Sequence, residues 1–301
     1  MALQDAEQRA VFEIDKEFTV RTTFAEELVN LAEQDDRVYL LIGDLGVFPE
    51  FQRRFPKRFI NLGIAESNQI SVAAGLAQDG NKVFLYSVAG FCIHRGFEQL
   101  KFEVCHWNKN IVLVNASAGL CYNRVGAGHY LIDDLALMQA LPDVTICTPI
   151  DRPEFKKALY ESYEANNMYY IRTALDNCPD IERRDDYLQF DDSNKVTVVS
   201  TGVFSPVAQR VCKGLPVDVL HIPYIQKIDP RYLKEKVFVI EDHIKFGGLA
   251  SLLDKKPDLH ICLPDLVNKT AHSRNELLKM YGFDDESLRS KIEEALCLTE
   301  I

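Results

Sequence analysis

No stretch of this 301-residue chain approaches the ~20 consecutive apolar residues that a bilayer span needs. Met1-Ala-Leu-Gln-Asp-Ala-Glu7 also lacks the basic start and apolar centre of a secretory signal, so a cytoplasmic location without a membrane partner is expected. Basic charge is short as well: 34 Lys and Arg against 45 Asp and Glu leave a net charge of -11. Nucleic acid phosphates and anionic lipid would repel such a surface, which argues against either as the main partner. The eight cysteines stand singly, at 92, 105, 121, 147, 178, 212, 262 and 297, without any Cys-x-x-Cys pair. That pattern suggests neither a disulfide framework nor a zinc knuckle, and reduced, mostly buried thiols are the plain reading. Internal repeats and low-complexity segments are absent too.

What is present is ordinary globular composition, 47% hydrophobic and 26% charged, in a chain long enough for two domains. Residues 1–19 are polar with little periodicity and read as an N-terminal lead-in. Apolar residues at 24, 25, 28, 29, 31 and 32 predict an amphipathic helix with Thr22 or Thr23 as N-cap. Short apolar runs then read as buried strands: 38–42, 59–62, 83–86, 111–114, 144–147 and 169–172. Helical patterns over 67–78, 92–106, 133–140 and 153–165 separate most of them. The charged segment after Asn177 has no apolar period and is read as a linker over 178–194. A second alternation follows, with strands at 196–200, 217–220, 237–240 and 260–263 and helices near 204–213, 247–254, 273–280 and 287–296. The expectation is α/β: two doubly wound, mainly parallel-sheet domains over 20–177 and 195–301.

The glycines give no complete phosphate motif. Gly202 and Gly247-Gly248 follow strands where a helix N-terminus could meet an anion, yet neither is Gly-x-Gly-x-x-Gly nor a P-loop. Tight turns explain them equally well. A metal-diphosphate motif of the Gly-Asp-Gly type would need glycine where Leu45 follows Gly43-Asp44, and Asn68 falls inside a predicted helix. No metal-ligand set is assigned to this chain.

One stretch carries more. Arg58-Phe-Ile-Asn-Leu-Gly-Ile-Ala-Glu66, running on into Ser67–Ala77, reads as strand, turn and helix with one acid at the helix start. Taken alone, Glu66 is either a first-turn carboxylate favoured by the helix dipole or a group placed for chemistry. Gly63-Ile-Ala-Glu-Ser-Asn-Gln-Ile-Ser-Val-Ala-Ala-Gly-Leu-Ala77 resembles the pyrimidine-binding domain of the transketolase family of thiamine diphosphate enzymes. There a Gly-hydrophobic-x-Glu turn precedes a helix rich in Ala and Gly. Tyr122–Asp134 with Met138–Asp151 is similar to that domain's histidine loop and the strand after it. Ile240–Ser251 and Leu277–Phe283 resemble the family's C-terminal domain, so the likeness runs over nearly the whole chain.

The resemblance implies a subunit of a transketolase-like enzyme that transfers a two-carbon ketol unit between a ketose and an aldehyde. Decarboxylating carboligation of a 2-oxo acid, as in deoxyxylulose phosphate synthase or the β subunits of 2-oxo acid dehydrogenases, is the alternative, and a non-catalytic scaffold is a third. The family's acid hydrogen-bonds N1' of the cofactor aminopyrimidine, favouring the imino tautomer that takes the proton from C2; Glu66 matches it. Phe91 is the stacking candidate, with Cys92 as the competing position, and Ile64, Arg95 and Asp44 complete the cofactor set. For Asp44 a capping acid is the other reading. His129 matches the loop histidine facing substrate, and Arg172, Arg21 and His94 are further substrate candidates. Phe48, Asn115 and Val125 stand where sugar-phosphate transketolases have a serine, a histidine and an aspartate. The missing magnesium motif implies a partner, an N-terminal diphosphate-binding subunit that holds thiamine diphosphate and Mg2+, in a dimer of heterodimers.

Overall fold

Val38–Ile42 (β1), Lys82–Ser87 (β3) and Ile111–Asn115 (β4) are apolar on both faces because both faces are covered, and β4 is buried at every position. With Phe59–Asn61 (β2), Val144–Cys147 (β5) and Met168–Ile171 (β6) they form one six-stranded sheet of order β2-β1-β3-β4-β6-β5, parallel throughout. The computed structural model that shows this describes residues 20–45, 48–115, 117–174, 180–183, 185–226 and 228–299. The expected lead-in over 1–19 lies outside them, as do 178, 179 and 184 of the expected linker.

A second sheet of order β11-β10-β8-β9-β7 contains Tyr187–Gln189 (β7), Val196–Ser200 (β8), Asp218–His221 (β9), Lys236–Ile244 (β10) and Leu259–Leu263 (β11). All of its pairings are parallel except that of β7 with β9, which is antiparallel. The expected fold class is what the chain adopts. Strand β7 lies inside the segment expected to be a linker, so that segment supplies the edge of the second sheet. Among the described residues no helix is long and apolar enough to cross a membrane.

Helices cover both faces of the first sheet. Helix Val20–Gln34 buries Phe24, Leu28 and Leu31 with helix Arg152–Glu164 on one side. Thr22 and Thr23 lie within that first helix rather than capping it. Helices Glu66–Gln78 and Ala89–Gln99 cover the other side, whose apolar cluster runs on into Val199, Leu220 and Val239 of the second sheet. That shared cluster joins the two sheets through one continuous apolar core.

The expected helix over 92–106 is broken. Gly96 leaves helical geometry, a π turn follows at Leu100–Val104, and a 3-10 turn ends the element at Trp107. Near 247–254 only a 3-10 turn, Leu249–Leu252, forms. Its leading amides at Leu249 and Ala250 donate 2.5 and 3.2 Å bonds to the buried Glu241 carboxylate. An internal anion already satisfies this turn, and a Cβ on Gly248 would overlap that same carboxylate. Close approach of backbone to Glu241 therefore accounts for Gly248.

Candidate functional site

In an open parallel sheet, ligands bind outside the carboxyl ends of the strands where successive connections leave in opposite directions. Here β1 connects to β2 on one side while β3 connects to β4 on the other. Gly43 closes β1 at this point. A Cβ there would lie 3.2 Å from the Gln69 side-chain oxygen, 3.3 Å from the Gly63 carbonyl and 3.7 Å from Ser87 Oγ. Gln69 is fully buried, and among the described residues neither polar atom of its amide has a hydrogen-bond partner. Such a group lacks the bonds that burial normally demands. Asp44 takes a left-handed conformation (φ 55°), and its amide donates to Asn61 Oδ1 at 3.1 Å.

Glu66 is the first residue of its helix, one turn before Gln69. Its cap residue Ala65 offers no side-chain bond. The Glu66 carboxylate is 6% exposed and does not serve the helix; both oxygens accept from Arg95 Nη1, at 3.1 and 3.2 Å. Gly96 explains how Arg95 comes so near. A Cβ at 96 would overlap Ile70 Cδ1, so glycine lets helix 89–99 lie close against helix 66–78. Ser67 Oγ then donates to the Arg95 carbonyl at 2.8 Å, holding the two helices in register.

From Arg95 the site extends as a row of flat groups. The guanidinium carbon lies 4.1 Å from the Phe91 ring centroid, a cation–π contact. Phe91 meets the His129 ring edge-on at 4.8 Å, and Tyr122 also meets it edge-on, at 5.4 Å. Burial, and then the Arg95 charge, hold the His129 imidazole below its usual pKa, which favours the neutral ring. Burial raises the Tyr122 phenol, and Arg21 is among the charges acting on it. Arg21 sits inside helix Val20–Gln34, not before it as expected.

Other candidates fall elsewhere. Cys92, the competing stacking position, is fully buried behind Glu66, and burial pushes its thiol up to about 12. Phe91 is the one of the two that packs against Arg95 and His129. Ile64, expected to line the pocket, is 75% exposed beside Glu66, uncovered by this chain. His94 Nε2 is 2.9 Å from Asp133, whose hydrogen bond raises the imidazole pKa against the opposing effect of burial.

Arg172 is corrected. Its guanidinium is 1% exposed, donating to Asp134 at 2.7 Å and to Asp242 of β10 at 2.9 Å, so it joins the two sheets and cannot reach a substrate. Tyr170 also donates to Asp134, at 2.7 Å. Gly119 packs over this group with φ +62°, and a Cβ there would overlap Asp242 Oδ2. Phe48 is core, edge-on to Phe24 and Tyr86 at 5.5 and 4.9 Å. Asn115 is buried, donating to Tyr170 at 3.1 Å, while Val125 is exposed.

A row unseen in the sequence joins Ser205, His221 and Glu154, with Ser205 Oγ 2.8 Å from His221 Nδ1 and His221 Nε2 3.2 Å from Glu154. Ser205 and His221 are fully buried, so no substrate can reach the hydroxyl and the row is an internal strut. Among the described residues no three His, Cys, Asp or Glu side chains gather as a metal-binding group.

Comparison with known proteins places these features in a family. Residues 16–179 match the family described as "Transketolase, pyrimidine binding domain". A putative transketolase C-terminal section from Methanocaldococcus jannaschii is 28% identical over 92% of this chain and 96% of its own. One of the subunits of an apulose-4-phosphate transketolase from Actinobacillus succinogenes is 30% identical over 79% of this chain and 85% of its own. A 1-deoxy-D-xylulose-5-phosphate synthase from Clostridium perfringens is 27% identical over 91% of this chain, which spans 49% of that longer protein. Among solved structures, a split-gene transketolase described as an inactive beta4 tetramer superposes with a TM-score of 0.78 at 27% identity, covering 93% and 98% of the two chains.

Proposed function

Because the chain belongs to the transketolase pyrimidine-binding family, we propose that it is the pyrimidine-binding subunit of a split thiamine diphosphate-dependent transketolase, with Glu66 as the acid that serves the cofactor. One observation carries this: the buried Glu66 carboxylate and the Phe91 ring stand so close together that the flat guanidinium of Arg95 meets both, one nitrogen donating to both Glu66 oxygens and its central carbon 4.1 Å from the Phe91 centroid. The donor set therefore fits an aminopyrimidine. Thiamine diphosphate, when bound, supplies the carbanion-stabilising chemistry that amino acid side chains lack.

The chain's own residues do the rest. Glu66, in its protonated form, would donate to the ring nitrogen at the N1' position and could pass its proton there and take it back. Phe91 holds the ring plane. His129, kept neutral, can both donate and accept at substrate oxygens, with Arg21 and Tyr122 on the same rim. Asp44, at the carboxyl end of β1, approaches the reacting centre from the strand end. Ile64, 75% exposed, awaits cover by the polypeptide that holds the diphosphate and Mg2+. The split relatives, and a solved relative described as an inactive beta4 tetramer, support such a partner; a dimer of heterodimers is the arrangement proposed.

A second reading has its own support. The synthase relatives make decarboxylation of a 2-oxo acid the alternative first half-reaction. With Phe48 as core and Asn115 tied to Tyr170, two positions differ from sugar-phosphate transketolases. The test is to measure thiamine diphosphate affinity with Mg2+ for the chain alone and with its partner, then to assay carbon dioxide release. Tight binding only in the assembly, with ketol transfer and no carbon dioxide, is the expected result. Tight binding by the chain alone contradicts the split site, and carbon dioxide from pyruvate or another 2-oxo acid favours the second reading.

A further inference from the structure

Arg95 occupies an unusual place. Its Nη1 donates to both oxygens of Glu66, the carboxylate proposed to serve the cofactor ring, and its central carbon lies 4.1 Å from the centroid of Phe91, the proposed stacking ring. Guanidinium is flat, delocalised and weakly hydrated, so it stacks on aromatic faces and pairs with carboxylates as aminopyrimidines do. Both contacts cannot persist while a ring lies in the same space, because a stacked ring needs the face that the guanidinium already covers at 4.1 Å. Resting on the reading of Glu66 above, we infer that Arg95 is an internal plug: in the lone subunit its guanidinium occupies the aminopyrimidine position, and cofactor enters only by displacing it.

The structure provides for that movement. The Arg95 side chain is 50% exposed while its acid partner is 7% exposed, so the arginine has water to swing into and Glu66 does not. Among the described residues the guanidinium makes no other ion pair. Its backbone stays fixed by the Ser67 hydroxyl on its carbonyl and by the packing of Gly96 on Ile70. Opening is therefore a change of side-chain torsions alone, on the picosecond to nanosecond scale of exposed rotamers. Two consequences follow. The buried Glu66 carboxylate keeps a cation beside it before assembly, which lowers the cost of holding a charge out of water. Cofactor affinity is reduced by the free energy of the contacts it must replace, a coupling that preorganised variants lack.

The full-length chain and thiamine, which carries the aminopyrimidine without the diphosphate, test this directly. Calorimetry should show Arg95→Gln binding thiamine about tenfold more tightly than wild type, the combined size of one exposed cation–π contact and one half-exposed ion pair. The Arg95 Nε–Hε resonance of the wild-type chain should move to the position of a solvated arginine as thiamine is added. Weaker or unchanged binding by Arg95→Gln, no binding by that folded variant, or an Arg95 resonance that stays in place overturns the plug. Glu66→Gln separates the two ideas. If it loses thiamine while Arg95→Gln does not gain, the plug falls and the site stands; if it leaves thiamine affinity unchanged, the Glu66 assignment itself falls and takes the plug with it.

Discussion

Replacing Arg172 with Met should destabilise the chain by about 3–5 kcal/mol, the cost of removing one partner from a buried ion pair. The structure sets that magnitude. The guanidinium is 1% exposed between two carboxylates at 0% and 2%, so one positive and two negative groups leave a net formal charge of −1 in the cluster. Without Arg172, two carboxylates share a site that water does not reach. Asp242→Asn should be milder, about 1–2 kcal/mol, because Arg172 keeps Asp134 and the cluster becomes neutral. Guanidinium unfolding of the full chain, followed by circular dichroism, would measure both. An Arg172→Met cost below about 1 kcal/mol, or an Asp242→Asn cost larger than that of Arg172→Met, would refute the strut, since an arginine facing substrate affects turnover rather than the unfolding midpoint.

Gly119→Ala should cost about 1–3 kcal/mol by the same assay, because φ is +62° and the new Cβ overlaps Asp242; a neutral result would mean that β10 yields easily. His260 tests the Glu241 cluster through pH. Burial opposes its charge, but bonds to Cys262 and Glu241 raise the imidazole to about 9. A folded value above the unfolded ~6.5 means that the stabilisation is whole below pH 6.5 and lost as pH rises through 9, on the order of 2–3 kcal/mol. Melting temperatures from pH 6 to 10 should thus fall more steeply for wild type than for His260→Gln, and parallel curves would contradict it. Ring proton NMR should titrate His94 above 6.5 and His129 below it, and Arg95→Gln should move His129 upward; a His129 that ignores Arg95 is not its neighbour in solution.

Buried parallel strands are the most legible part of the sequence, because a run such as Ile111-Val-Leu-Val114 has no other use for its side chains. Short elements are not. Helix Pro49–Arg54 has only six residues and buries Phe51 alone, too few for a helical period. Strand β7 is three residues long and gains its identity only by pairing with β9. The strand expected over 237–240 runs on as β10 to Ile244, through the polar Glu241-Asp242-His243. All three are buried, and their partners include Arg172, 70 residues from Asp242, and His260. The site divides in the same way. Glu66 is visible through its local turn, whereas its pairing with Arg95, the depth of Cys92 and the burial of Arg172 depend on contacts between distant segments that no local spacing encodes.

The most direct measurement is the turnover of Glu66→Gln in complex with the partner subunit proposed to hold the diphosphate. Glutamine keeps the shape and a hydrogen-bond acceptor but cannot exchange the proton. The ketol-transfer rate should therefore fall by about 10²–10⁴-fold with the complex still assembled. A rate equal to wild type in an intact complex would show that Glu66 is only the first acid of a helix.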